Sequence, residues 1–210
     1  MTGKTHRLGG MVCAMAGYSL LEYKGLLIND VDPLLQLTVI YPFALYGSVV
    51  SDLDHHWEST PCKDIVSWVI NKILHITGAK HRSWHTHSDA FLVFLLAIGN
   101  LLLHFATSAE SIIINLVFSG LLLGVISHMI LDSLTPQGIH SVVLLLISKV
   151  ITAITGKKNF PTKIRFVPKT PYFATDGPWE ERVRKVLWLF CFLLLLRIAM
   201  SYLPYDLVFQ

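Results

Sequence analysis

Histidine and aspartate recur in this chain at spacings suited to holding a divalent cation. His128 and Asp132 stand four residues apart in the stretch from Gly124 to Gly138. On a helix that spacing puts both side chains on one face, one turn apart. A neutral imidazole and a carboxylate converging from one face make half a metal site. The pair sits in an apolar run, where polar side chains are costly and commonly functional. The same pair could instead staple two helices together through a His–Asp hydrogen bond. Upstream, Ser51-Asp52-Leu53-Asp54-His55-His56 sets two carboxylates beside two imidazoles. Carboxylates that close repel each other unless a cation or a proton compensates. A third cluster, His81-Arg82-Ser83-Trp84-His85-Thr86-His87-Ser88, adds three histidines. His81 and His85 are one helical turn apart, while His85 and His87 alternate as on a strand. Neutral imidazoles suit Zn2+, Mn2+ or Fe2+, and added carboxylates widen the choice. Arg82 offers a planar fork suited to phosphate.

The elements that must position these residues read as membrane helices. The 210 residues are 53% hydrophobic and only 15% charged, with a mean hydropathy of +0.55. A soluble domain carries about a quarter charged residues. The expected fold is an all-α polytopic membrane bundle, one domain over residues 1–210, with about five spans and additional interfacial helices. The spans run Leu8 to Leu27, Leu34 to Val50, Ala90 to Thr107, Ile112 to Leu131 and Val186 to Leu203. Ile65 to His75 reads as an amphipathic interfacial helix, and His140 to Thr155 as a short re-entrant or interfacial one. His104 lies alone in a span and reads as a hydrogen-bonded core residue; His140 reads as a cap for the helix it begins. Three scattered cysteines form no CxxC and no disulfide framework. The apolar run after Arg7 is too interrupted for a signal peptide, so the N-terminus is expected to be retained.

With five spans, nearly all Lys and Arg fall on one side, including Lys4, Arg7, Lys63, Lys80, Arg82, Lys157, Lys158, Lys163, Arg165, Lys169 and Lys185; Lys24 and Arg197 do not. Asp30, Asp32, Glu110 and Asp206 fall on the other. The positive-inside rule then puts the N-terminus in and the C-terminus out. The net charge of +3 is explained by cytoplasmic loops, and no direct nucleic-acid partner is expected. This topology brings His6 and the three clusters to the cytoplasmic mouths of the first four spans, where they can converge as bundle metal sites do. Glu180 is explained by the dipole of the helix it opens, or reaches the same site. No Walker loop, dinucleotide fingerprint or G-x-S-x-G elbow occurs.

Thr5-His6, Ser51 to His55, His81-Arg82 with Thr86-His87-Ser88, and Ser127 to Gly138 resemble the YdjM-like family of bacterial inner-membrane proteins, described as predicted metal-dependent hydrolases and as LexA-binding. The resemblance runs from His6 to about Glu180, and His128-x-x-x-Asp132-x-x-Thr135-Pro136-x-Gly138 is its most specific block. The second block departs from the family's His-Arg-Gly-x-Thr-His-Ser: it is one residue longer, with Ser83 for glycine and an added His85, so His81, His85 or both fill the ligand position. Ser51 stands where proline is usual. The set of ligands is also similar, more distantly, to the helical zinc-dependent phospholipase C group.

These resemblances imply a membrane-bound metal-dependent hydrolase of the bacterial inner membrane acting on a phosphoester, such as a phospholipid or lipid-linked phosphate. One or two divalent ions are expected, Zn2+ first and Mn2+ as the alternative. The ligand candidates are His6, Asp54, His55, His81, His85, His87, His128 and Asp132; Asp52 is the bridge or base and Arg82 the phosphate-neutralising residue. Membrane lipids are the expected partners, with a cytoplasmic regulatory protein as a further one. The competing readings are a metal transporter, disfavoured by ligands gathered at one face, and a non-enzymatic regulatory protein.

Overall fold

The computed structural model describes residues 1–29, 31–156, 160–168, 170–173 and 175–202. The basic positions Lys157, Lys158 and Lys169, the acidic Asp30 and Asp206, and the end of the last expected span lie outside them. Local sequence signals fix the helix starts. Asp32 accepts the Leu35 amide at 3.0 Å and Pro33 opens α2 (Pro33–Val50), an arrangement that satisfies one of the orphan donors and presets φ. Asp64 does the same for α3 (Ile65–Ile76) through Ser67 N at 2.9 Å. Glu110 reaches back to the Thr107 amide at 2.8 Å to start α5 (Ser108–Ser133), and Ser141 caps α6 (Val142–Thr155), which ends on Gly156 with φ +69°. The remaining helices are α1 (Gly3–Tyr23), α4 (Asp89–Phe105) and α7 (Pro178–Ser201). The chain is thus mainly helical, as expected. One element was not foreseen: a short antiparallel ribbon pairs β1 (Ile139–His140) with β2 (Lys163–Ile164).

The centre of the bundle is the pairing of α2 with α5, which rests on glycine. A Cβ on Gly47 would lie 2.3 Å from the Leu121 carbonyl oxygen, and one on Gly124 would lie 2.2 Å from that of Ala44. Backbone therefore meets backbone, the close approach that small residues permit between helices in lipid. Helix α1 packs on this pair, with Tyr18, Met15, Ala14 and Ala44 all buried. At the far end Arg197 of α7 pairs with Glu22 of α1 at 3.1 Å, which accounts for the charge inside the last apolar run.

Polarity is inverted relative to a water-soluble domain. Helix α3 buries Ser67 and Asn71 and leaves Ile65 79% and Ile76 85% exposed. Asn71 donates to the carbonyls of Leu53 and His55 at 2.6 and 2.7 Å, so the polar stripe is the one that docks. Helices α4, α6 and α7 likewise turn Phe94, Phe105, Ile154, Trp188 and Phe192 outward. Exposed apolar surface of this extent marks contact with lipid or another apolar partner. Among the described residues, two helices, Pro33–Asp54 and Ser108–Ser133, are long and apolar enough to cross a membrane.

Two expectations are corrected. His104 is exposed, its ring edge-on to Phe105, not a hydrogen-bonded core residue; it sits one residue from the end of α4, where little packs over it. His140 does not cap α6. It lies in β1, donates its amide to the His87 carbonyl at 3.0 Å, and leaves capping to Ser141 and to Asp89, whose carboxylate accepts Val142 N at 2.7 Å.

Candidate metal centre

The starts of α1, α4 and α7 and the ends of α2 and α5 meet at one end of the bundle, and the polar clusters meet there with them. His128, fully buried in the last turns of α5, turns Nδ1 to the Ser48 carbonyl at 2.8 Å. A carbonyl only accepts, so Nδ1 carries the proton and Nε2 of the neutral ring is a bare lone pair. His87, also fully buried, is fixed by a comparable relay. Thr86 Oγ1 donates to Asp54 Oδ2 at 2.7 Å, which leaves its oxygen to accept from His87 Nδ1 at 2.9 Å. The Nε2 of His87 is therefore turned inward as well.

What these atoms face is the decisive feature. The two Nε2 atoms are 3.2 Å apart. Asp132 Oδ2 lies 3.5 Å from each, and Asp52 Oδ1 lies 3.6 Å from His87 and 3.8 Å from His128. Asp132 Oδ2 is buried without a hydrogen-bond partner. With His87 neutral, its Nε2, that of His128 and Asp132 Oδ2 are three acceptors facing one another, an arrangement whose cost a proton or a cation would remove. Ligands held tetrahedrally at about 2.0–2.1 Å have edges of about 3.3–3.4 Å, close to the 3.2–3.5 Å that separate His87 Nε2, His128 Nε2 and Asp132 Oδ2. Burial alone would lower the proton affinity of His87; Asp52 and Asp54 and the charge of Asp132 override it and raise its pKa to about 9. The carboxylates thus favour positive charge here, either a proton on His87 Nε2 or a cation in its place.

Around this core the other acidic and basic groups act in concert. Asp54, 2% exposed, accepts from the Arg82 amide at 3.0 Å, from Thr86, and pairs with His81 Nδ1 at 3.0 Å and His87 Nδ1 at 3.3 Å. Both of its oxygens are taken up in orienting two histidines. Arg82 has φ +58°, a conformation uncommon for a side-chain-bearing residue. It directs one guanidinium nitrogen to Asp132 Oδ1 at 3.0 Å and another to Thr135 Oγ1 at 3.1 Å.

His6 stacks on His128 with ring centroids 3.8 Å apart and brings Nε2 to 3.4 Å from Asp132 Oδ1. Glu180 does not join the cluster. Its carboxylate accepts from Thr2 N and Thr2 Oγ1, both at 2.6 Å, from Thr5 Oγ1, and from Asp176 N at 2.7 Å. It thereby ties the start of α7 to the turn that carries His6. Replacing Glu180 by Ala is expected to leave those donors unpaired, at about 1–3 kcal/mol. Faster amide exchange at residues 2–6 and a lower unfolding temperature would register it; unchanged exchange would refute the tie.

A polar cavity of about 290 Å³ opens over the cluster, lined by Asp52, His55, His81, Arg82 and Gln137 among others. Asp52 is the core carboxylate that reaches it, with its side chain 14% exposed. Potential ligand atoms of Asp52, His55 and His81 fall within 4.8 Å of one another, as do those of His6, Asp52 and His128, so Asp52 is common to an inner and an outer group. The histidine ambiguity has a geometric answer: His81 lies with the carboxylates, while His85 stacks on Trp84 at 4.1 Å and pairs with Ser83. His85 joins no ligand group among the described residues. The chain at 80–87 runs in turns, so helical spacing does not apply to it.

The description "YdjM inner membrane protein" matches residues 1–205. The chain belongs to the YdjM family. A relative, the "Uncharacterized protein YvsG" of Bacillus subtilis (strain 168), is 32% identical over 185 residues, 87% of this chain and 86% of its own length. No solved structure matches the chain. In this YdjM protein several residues that shape the site carry little sequence signal. The Ser48 carbonyl is backbone and has none. Thr86, Thr135 and Asn71 each act through two hydrogen bonds, and only their nearness to the clusters marks them. Gly138 is legible: its φ of +63° and a Cβ position 2.5 Å from the Ile164 oxygen admit glycine alone, and it closes the turn after Asp132.

Proposed function

We propose that this YdjM protein is a membrane-embedded, metal-dependent hydrolase of phosphoesters, working at the cytoplasmic face. The observation that carries the reading is the convergence of His87 Nε2, His128 Nε2 and Asp132 Oδ2, each 3.2–3.5 Å from the other two, with Asp52 Oδ1 flanking the two histidines. These residues, with His6 close by, would hold one divalent ion. His55 and His81, together with Asp52, would hold a second. Zn2+ and Mn2+ suit the mixed imidazole and carboxylate donors. When bound, the ion supplies Lewis acidity, polarising a phosphoryl oxygen and acidifying water.

The chain's own residues supply the rest. Asp52, facing the cavity, accepts the proton of the attacking water. Arg82 neutralises charge on the phosphoryl oxygens, a role its fork geometry fits. Asp54 and the Ser48 carbonyl hold His81, His87 and His128 in the orientation and tautomer the site needs. The surrounding helix ends keep bulk water from the core. Five helices, α1, α2, α4, α5 and α7, would cross the membrane with the N-terminus in. The meeting of alternate helix ends at the site and the bias of Lys and Arg to that side support this.

Release of inorganic phosphate from phosphatidic acid or farnesyl phosphate, by protein purified in detergent with Zn2+ or Mn2+, tests the reading. Asp52→Asn is expected to lower the rate by about 10²–10⁴-fold, while His85→Ala leaves it within twofold or so. A His128→Ala protein that keeps both metal and activity would sink the assignment.

A further inference from the structure

A second hollow adjoins the polar cavity and is larger. It encloses about 960 Å³ and shares the walls His81, Arg82 and Gln137 with the first. Its far side is β2 and the residue after it, with Lys163 and Arg165. Alternation along an extended segment puts these two side chains on one face, and both residues are exposed. The wall is rigid. Ile164 is in register with Ile139, Gly138 packs against the Ile164 carbonyl, and Arg165 donates to the Pro136 carbonyl at 3.4 Å. Leu144, on α6, lines the same hollow, and Val143 and Leu146 beside it face outward, 58% and 56% exposed. One groove therefore runs from the acidic cluster past Arg82 to two more cations and ends at an apolar, outward-facing helix.

A substrate with one phosphate would fill only the smaller cavity. We infer that the groove takes a second phosphate, so that the substrate class is a diphosphate joined to an apolar tail. This rests on the hydrolase reading above. Water attacks the terminal phosphorus, held between Asp52 and Arg82, and gives its proton to Asp52. The P–O–P anhydride bond breaks and inorganic phosphate is released. The second phosphate, held by Lys163 and Arg165, stays as a monophosphate on the tail that runs along α6. Phosphate held by two such cations gains charge-assisted hydrogen bonds, each enough for about tenfold in affinity.

The test is binding, without turnover, of farnesyl phosphonate and farnesyl methylenediphosphonate to the metal-loaded protein, since carbon replaces the hydrolysable oxygens in both. Wild type is expected to prefer the diphosphonate by about tenfold or more. The paired change Lys163→Glu with Arg165→Glu is expected to erase that preference, leaving monophosphonate affinity, metal content and helicity unaltered. Equal affinities in wild type, or a preference retained in the paired variant, overturn the inference. Plain methylenediphosphonate separates the sources: binding as tight as the farnesyl compound assigns the subsite to a soluble diphosphate, and weaker binding to a lipid one. Failure of the hydrolase reading would show elsewhere, as absent metal or absent phosphate release, and leaves this comparison intact.

Discussion

A Gly124→Val protein does not assemble its bundle. The new Cβ would stand 2.2 Å from the Ala44 oxygen, 2.6 Å from the Ser48 nitrogen and 2.8 Å from the Gly47 carbonyl carbon. All three are backbone atoms, so no side chain can swing aside. Ordinary contact begins near 3.4 Å, and α2 and α5 must part by more than 1 Å (3.4 less 2.2) to reach it. Overpacking a well-filled interior costs about 1–3 kcal/mol, and more where nothing yields. Here the separation also breaks the bond from His128 Nδ1 to the Ser48 carbonyl, one turn further along. Against native stabilities of about 5–15 kcal/mol, a loss of about 3 kcal/mol or more is a large part of the whole. The variant should aggregate on size-exclusion chromatography in detergent. Gly25→Ala is the control: it lies in open space at φ +63°, and the left-handed backbone alone costs about 1–2 kcal/mol. Equal behaviour of the two variants would mean that the α2–α5 contact is not what organises the fold.

Asp54→Ala removes more metal affinity than any other change outside the proposed ligand core. Its carboxylate is the shared acceptor for the Arg82 amide, Thr86 Oγ1 and His81 Nδ1, with His87 Nδ1 at 3.3 Å. With it gone, Thr86 loses the acceptor that aims its oxygen at His87, and His87 is free to change tautomer or rotate. Loss of one group that orients a metal-binding histidine costs about 10–100-fold in affinity. Asp54 orients two, so a loss toward the upper end, about 100-fold, is expected. Breaking a buried charged pair adds about 3–5 kcal/mol of destabilisation. Competition with a fluorescent zinc chelator reads the first effect and thermal unfolding the second. Thr86→Val, which cuts the relay but keeps the carboxylate, should lose about tenfold. If Asp54→Ala binds metal as wild type does, the orienting role is wrong.

The clusters themselves were legible from sequence, because histidine and aspartate inside apolar runs stand out against their surroundings. Their convergence was also legible, since helices that run alternately up and down bring alternate ends to one end of a bundle. What was not legible has physical reasons. The choice between His81 and His85 depends on the turns around Arg82, whose φ of +58° no spacing rule anticipates. The job of Glu180 lies 175 residues away at Thr5, and a helix-dipole account of it was sufficient without that contact. Glycines interrupt the first expected span, Leu8 to Leu27, and Gly9, Gly10 and Gly17 are where other elements press against it: a Cβ there would meet Leu131, Ala44 and Ser48, and Leu123. The same small residues that lower its hydropathy let it pack. The ribbon of β1 and β2 is two residues per strand, too short for any alternation to register.

The most direct test of the metal centre is elemental analysis of the detergent-purified protein, prepared without chelators, beside His128→Ala and Asp132→Ala. The account predicts about one or two equivalents of a divalent transition metal in wild type, lost in both variants while their helicity is retained. A folded wild type that carries no metal, or variants that keep it, would contradict the account and leave the converging histidines and aspartates as structural groups.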